Sequence, residues 1–147
     1  MKYLIKLLLM LVLILSLGAC QGPIPSDQSA EKLADNFLQA VNEGKYDEAF
    51  SMVNKDFYVV RPKEAWVDYY KAVKKTMGPI ISVKHLRTIS DDRYSGHFYL
   101  FQYYIKHKNG VTKEIVTMVD KINSDAPLKI SGHKIDSKEL GKINGEY

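Results

Sequence analysis

Apolar residues along the chain follow a helical period in its first half and a strand period in its second. From Asp27 they recur every three or four residues, which predicts a helix that ends at Gly44. A shorter helix is predicted from 46 to about 54, and Pro62 opens a third helix that ends at Gly78. The first half is therefore predicted to be helical.

The second half alternates in the manner of β-strands. Strands are predicted at 80–89, 94–106, 111–122 and 128–135. Turns are predicted at Asp91-Asp92 and 123–127, and Asn109-Gly110 favours a two-residue hairpin loop. Three helices followed by about four antiparallel strands indicate an α+β domain.

The hairpin predicts which residues share a face of the sheet. With Asn109-Gly110 as the loop, the numbers of facing residues sum to 219, so Tyr99 is expected opposite Asp120 and Phe101 opposite Met118. The drier face, which we expect the helices to cover, carries Tyr99, Phe101, Tyr103, Ile105, Val116 and Met118. The other face carries Phe98, Leu100, Gln102, Tyr104, Ile115, Thr117 and Val119.

An apolar run precedes this domain. Residues 7–17 are interrupted only by Ser16 and follow two lysines, which is typical of a signal peptide at 1–19. The run ends in Leu17-Gly18-Ala19-Cys20, which resembles the lipobox of bacterial lipoproteins. That resemblance implies cleavage between Ala19 and Cys20, a diacylglycerol thioether on Cys20, and a fatty acyl chain such as palmitate on its new amino group. The alternatives are an uncleaved anchor and an ordinary signal peptide.

The rest of the chain divides into a tether, one domain and a tail. Residues 20–28 are expected to be the lipidated N-terminus and tether, 29–136 the domain, and 137–147 a loose polar tail. Cys20 is the only cysteine, so no intramolecular disulfide is possible. Gln21 follows it where an aspartate commonly retains a lipoprotein in the inner membrane. We therefore expect a bacterial envelope protein, at the outer membrane and facing the periplasm if the organism is Gram-negative.

Charge and composition exclude several classes. The formal charge is +4, with 21 basic and 17 acidic residues, and Lys2 and Lys6 leave with the leader, so the mature chain carries +2. That charge does not favour nucleic acid as a partner. The aromatic content argues against a disordered chain. No second long apolar run exists for a multispan membrane protein.

Several short motifs occur in a familiar order. They are Phe37-Leu38, the Gly44–Ala49 segment, Trp66, Gly78, the Glu114–Met118 strand and the Lys129–Gly132 segment. Together they resemble an uncharacterised bacterial domain-of-unknown-function family of the nuclear transport factor two-like, or cystatin-like, superfamily, over about 29–136. The resemblance implies a curved sheet wrapped around a helix, with a pocket at the wide end. Leu128 and His133 depart from it, since the family usually has a tryptophan and an aromatic residue there.

The superfamily contains isomerases, dehydratases and pure binding modules, so the resemblance leaves the function open. No phosphate loop, nucleophile elbow or zinc-binding helix motif occurs in the sequence. His85, His97, His107 and His133 lie on separate β segments, with no pair spaced on one helix, so we expect no metal and no cofactor apart from the lipid on Cys20.

One enzymatic hypothesis uses the predicted register. Asp120 would lie opposite Tyr99, with His97 two residues along the same face. A carboxylate beside a phenol in an apolar cavity can remove a proton and stabilise an enolate, as isomerases and dehydratases require. The alternative is a solvated aspartate at a strand end beside a packed tyrosine.

Aromatic residues are the other candidate signal. Trp66, Tyr70 and Tyr103 are candidates to line a ligand pocket or a partner surface, and ordinary core packing is the alternative. We expect a non-catalytic binding or assembly module, held at the membrane through its lipid anchor. Its partner would be a small apolar ligand or an envelope protein, and the sequence leaves the oligomeric state open.

Overall fold

The computed structural model describes residues 27–122, 124 and 126–141 of the 147-residue chain. The predicted leader, the lipobox and Cys20 lie outside the described residues, as do residues 142–147. Across the described part of the chain, no helix is both long and apolar enough to cross a membrane.

Three helices form the first half. Helix α1 spans Asp27–Glu43 and buries the predicted stripe, which includes Ala34 and Phe37. It ends where Gly44 adopts a φ of +78° and donates its N–H to the Val41 carbonyl at 3.1 Å. Helix α2 spans Tyr46–Ser51 and is shorter than the predicted 46–54.

The chain leaves α2 early because residues 52–54 bond to the sheet. Ile130 donates its N–H to the Met52 carbonyl at 3.0 Å, and Asn54 donates its N–H to the Ile130 carbonyl at 2.9 Å. A 3₁₀ turn at Lys55–Tyr58 follows. Helix α3, Lys63–Met77, begins after Pro62 and ends at Gly78. Both of its predicted boundaries are confirmed.

Four antiparallel strands form one sheet in the order β1-β2-β3-β4. They span Ile80–Arg93, Gly96–His107, Gly110–Lys121 and Ile130–Asp136. The turn predicted at Asp91-Asp92 is wrong, because both residues lie in β1, opposite Phe98 and His97. Their carboxylates remain exposed at the sheet edge, so the strand tolerates them, and the chain reverses at residues 94–95 instead.

The predicted hairpin register is wrong by two residues, although both face assignments are confirmed. Facing numbers sum to 217, so Tyr99 lies opposite Met118 and Asp120 lies opposite His97. Residues 108 and 109 form the loop, because their N–H groups donate to the carbonyls of Pro79 and Met77 after the end of α3. A shift of two preserves which side chains share a face.

The helices cover the predicted inner face of the sheet. Its aromatic and aliphatic residues are buried against α1, α2 and α3: Tyr99, Phe101, Tyr103, Ile105, Val116 and Met118. The packed domain also continues past 136, because a 3₁₀ turn at Lys138–Leu140 buries Leu140 completely. The expectation of a loose tail is therefore wrong for residues 137–140.

Candidate functional site

The structure keeps the three residues of the enzymatic hypothesis near one another on the inner face, where Asp120 lies opposite His97 and Tyr99 lies two residues along from His97. Nδ1 of His97 lies 2.6 Å from Oδ1 of Asp92, and the centre of the His97 ring lies 4.6 Å from that of Tyr99. Tyr99 is buried in the core. Burial, with a smaller contribution from the nearby Asp120 carboxylate, raises the pKa of the Tyr99 phenol. The Tyr99 phenol is therefore neutral, and the surrounding core residues enclose it.

Asp120 instead lines a surface cleft of about 280 Å³ beside the β3–β4 connection. The cleft is bordered by residues 54–56, 119–121, 124 and 126–129, and neither Tyr99 nor His97 lines it. Across it, Lys121 Nζ donates to Asp56 Oδ2 at 3.1 Å. A substrate in this cleft would meet Asp120 without meeting the phenol of Tyr99.

The three aromatic candidates pack in the interior. Trp66 stacks on Tyr70 with ring centres 5.4 Å apart and contacts Phe57 at 4.8 Å. Tyr103 donates its hydroxyl proton to Asp35 Oδ1 at 2.8 Å, and burial followed by this bond raises the pKa of Tyr103. Trp66 also lines a shallow cleft of about 200 Å³ beside β4. Trp66, Tyr70 and Tyr103 thus pack in the core, which was the alternative to lining a ligand pocket.

Sequence reasoning missed a chain of polar side chains beneath the helices. The Tyr70 hydroxyl lies 2.9 Å from Nδ1 of His133, and Nε2 of His133 lies 3.0 Å from Oε2 of Glu114. All three side chains are buried. Burial, followed by the nearby Glu114 carboxylate, raises the pKa of Tyr70 well above its ordinary value. A tyrosine on α3 is thereby linked to two strands.

The chain continues along β3 to the end of β2. Thr112 donates its hydroxyl to Oε1 of Glu114 at 2.8 Å and lies 3.1 Å from Nε2 of His107. Nδ1 of His107 lies 3.3 Å from the carbonyl oxygen of Gly78. Within the described residues, no buried side-chain nitrogen or oxygen lacks a partner. The network is therefore complete.

Strand parity provided a signal for part of this network. Glu114 and Thr112 have the same parity as Val116, so the alternation that predicted the inner face also places them inward. His133 was visible only as a departure from the resembled family. Its contact with Tyr70 joins residues 63 positions apart, which no local pattern specifies.

The opposite, outer face of the sheet has no covering element among residues 27–122, 124 and 126–141. It is apolar at its centre, where Phe98, Leu100, Ile115 and Val119 are half-buried. Tyr104 retains 38% of its accessible surface. In the same part of the chain, no group of three or more His, Cys, Asp or Glu residues is arranged to hold a metal.

Comparison with solved structures identifies the fold. The chain superposes on an NTF2-like protein of unknown function from Pseudomonas putida with a TM-score of 0.52 and 9% identity, covering 76% of this chain and 85% of that one. A proposed ketosteroid isomerase from Shewanella frigidimarina gives a TM-score of 0.53 and 10% identity, over 75% and 96%. Bdellovibrio bacteriovorus Bd1075 gives a TM-score of 0.52 and 11% identity, and the match spans 76% of this chain but 41% of Bd1075.

These identities show the fold alone: three helices on a four-stranded antiparallel sheet, in the NTF2-like α+β arrangement. No protein-family model matches the sequence, and a search of curated proteins finds no significant relative. The fold is compatible with binding modules and with isomerases, so any function has to be argued from the residues described above.

Proposed function

We propose that this chain is a lipid-anchored protein of the bacterial cell envelope whose NTF2-like domain binds a partner through its surface and catalyses no reaction. The observation that carries the proposal is the filled interior of the domain. The largest inner-face side chains, Tyr99, Phe101 and Tyr103, are buried together with Phe37 and Phe57. They occupy the space in which a cone-shaped domain would hold a ligand.

The clefts of the described surface support the same proposal. One cleft of about 360 Å³ is lined mainly by polar residues of α1 and α2. A small apolar ligand needs a concave, largely apolar site that removes most of its surface from water. An envelope macromolecule that contacts an exposed face therefore fits this domain better than a small apolar ligand does.

The anchor rests on the sequence motif at Cys20. Metabolic labelling with radioactive palmitate tests it directly. The full-length chain should incorporate label and lose residues 1–19, whereas Cys20→Ala should do neither. Label retained by Cys20→Ala would contradict the anchor.

Organic extraction of the membrane-purified protein tests the filled interior. We expect only the covalently attached acyl chains and loosely held membrane lipid. An apolar molecule recovered at one equivalent per chain, and lost on heat unfolding, would contradict binding through the surface.

A second candidate is a small isomerase or dehydratase that uses Asp120 and Tyr99. The effect of the Asp120 carboxylate on the pKa of Tyr99 favours it, since this effect requires the two groups to be near each other. Conversion of a β,γ-unsaturated ketone to the conjugated enone can be followed by absorbance. We expect no turnover. Turnover that Asp120→Asn abolishes without loss of folding would establish this enzyme instead.

A further inference from the structure

The outer face of the sheet has an ordered arrangement of side chains. Its central cross-strand row consists of Ile89, Leu100 and Thr117. Towards the β2–β3 loop, the next rows are Arg87–Gln102–Ile115–Lys134 and Lys84–Tyr104–Lys113–Asp136. An apolar centre is therefore followed by a tyrosine that has a lysine directly beside it on each neighbouring strand.

Positive charge is concentrated on this face. Seven basic residues project from it, and its two acidic residues are Asp91 and Asp136; the basic residues are Lys84, Arg87, Arg93, Lys106, Lys113, Lys121 and Lys134. The outer face therefore has a net charge of +5, seven basic residues less two acidic ones. The whole mature chain carries +2, so the residues outside this face have a net charge of −3. The domain is thus electrically polarised, with its positive side on the uncovered face.

Two of the seven cations are neutralised locally. Arg93 pairs with Asp91 at 3.0 Å and lies over the Phe98 ring, and Lys121 pairs with Asp56 at 3.1 Å. The other five form no ion pair with any described residue. Unpaired cations around an apolar and aromatic surface suit a partner that is anionic outside and apolar beneath, as a bilayer of acidic phospholipids is.

The tether length brings such a bilayer within reach of this face. Six residues separate Cys20 from Asp27, and six residues span at most about 20 Å. Asp27 accepts a hydrogen bond from Ser90 of β1, which is an edge strand of the sheet. Ser90 lies opposite Tyr99, so the chain enters the domain at the β1 edge from the helix-covered side. The outer face begins around that edge, and the width of four strands is only about 15 Å, so the tether is long enough to reach a bilayer on that face.

We propose that the outer face lies against the anionic surface of the membrane that holds the lipid anchor. The central apolar residues contact the headgroup boundary, Tyr104 lies among the headgroups, and the five unpaired cations bind lipid phosphates. A second copy of the chain is a poorer occupant, because a symmetric contact would set these cations against their own counterparts. The proposal rests on the lipid anchor proposed above.

The lone cysteine makes a sharp experiment possible. Acylation of Cys20 consumes its thiol, so Tyr104→Cys in the full-length chain introduces a unique site for an environment-sensitive fluorophore. The lipidated protein is reconstituted into vesicles of equal parts phosphatidylglycerol and phosphatidylcholine that also carry nitroxide-labelled lipid. Lys71→Cys is the matched control, because Lys71 is exposed on α3 on the helical side of the domain.

We expect the nitroxide lipid to quench the fluorophore at position 104 and to leave the one at position 71 bright. Quenching should weaken in high salt and in vesicles of phosphatidylcholine alone. Loss of two cations in Lys84→Gln/Lys113→Gln should lower the ratio of docked to undocked domain about thirtyfold. Lys71→Gln/Lys75→Gln removes the same charge from the helical side and should leave that ratio unchanged.

Other outcomes overturn the proposal. Equal quenching at positions 104 and 71, or none at either, would exclude docking of this face. Protection of position 104 from aqueous iodide that rises with protein density and ignores lipid charge would indicate a second copy. Protection in intact envelopes but not in vesicles would indicate an acidic protein partner. Palmitate labelling separates these results from failure of the anchor, because a labelled but undocked chain contradicts the docking alone.

Discussion

Removing Glu114 tests whether the buried polar network stabilises the domain. Glu114→Leu takes away the acceptor for Nε2 of His133 and for the hydroxyl of Thr112. Breaking a buried ion pair or hydrogen-bonded charge from one side costs about 3–5 kcal/mol, because its partner stays buried and unpaired. A domain of this size is stable by only about 5–15 kcal/mol, so the variant should retain a small part of that margin.

Trp66 provides the assay. It is the only tryptophan of the chain, and it is buried against Tyr70, which bonds to His133. Urea unfolding followed by its fluorescence should show a lower midpoint for Glu114→Leu with an unchanged denaturant slope. Lys134→Ala, an exposed change next to His133 in β4, is the control and should stay within about 0.5 kcal/mol of the parent.

A double-mutant cycle separates pairing from packing. His133→Phe alone should also cost about 3–5 kcal/mol, because it leaves the Glu114 carboxylate without its partner. The double variant should lose at least about 2 kcal/mol less than the sum of the two single losses. Additive losses, or a loss below about 1 kcal/mol for Glu114→Leu, would refute the assigned network.

Three further changes test individual features. Tyr103→Phe removes the bond to Asp35 and a phenol whose pKa is raised by folding. That phenol stabilises the fold below pH 10, and the stabilisation is lost as the pH rises. In urea titrations above pH 10, the unfolding free energy of the parent should therefore fall more steeply than that of the variant, by up to about 1.4 kcal/mol per pH unit. Gly96 has a φ of +146°, and Gly96→Ala places a Cβ 2.2 Å from a backbone oxygen of β3. This variant should lower the unfolding free energy by at least about 2 kcal/mol. The added Cβ of Gly141→Ala meets nothing within 4 Å, so that variant should be neutral by the same assay. Leu140→Ala should cost about 2–5 kcal/mol in thermal or urea unfolding, and a smaller effect than 1 kcal/mol would contradict packing beyond residue 136.

Local patterns specified the helices and the faces of the sheet. Gly44 and Gly78 ended their helices because a positive φ there suits glycine, and the period-two alternation put Tyr99 and Val116 inward. Both signals depend on residues close in sequence, so no knowledge of tertiary structure was needed.

Tertiary contacts decided what the sequence did not. The hairpin loop moved by one residue at each end because the backbone of Lys108 and Asn109 bonds to the end of α3. That shift makes His97 rather than Tyr99 the direct partner of Asp120 and places Tyr99 two residues along the same face. The network around Glu114 depends on contacts between α3 and β4, which bring distant residues together.

The two edges of the sheet have different consequences for how neighbouring copies behave. Residues 52–54 cover part of β4, where Val53 forms a parallel bridge with Ile130. Among the described residues, no strand pairs with the other side of β1, and its pairing with β2 is interrupted by register shifts after Ile80 and after His85. An irregular edge is a poor template for another strand.

Membrane-anchored proteins diffuse in a plane rather than in three dimensions. The sheet edges of neighbouring copies therefore meet far more often than those of free molecules. Exposed apolar side chains on β1, including Ile81 and Leu86, would favour sheet extension if the edge were regular. Deleting Leu86, which has no partner in the ladder, would straighten the strand and remove one interruption. If the lipid anchor proposed above is present, the irregularities of β1 would keep neighbouring anchored copies from joining into continuous sheets.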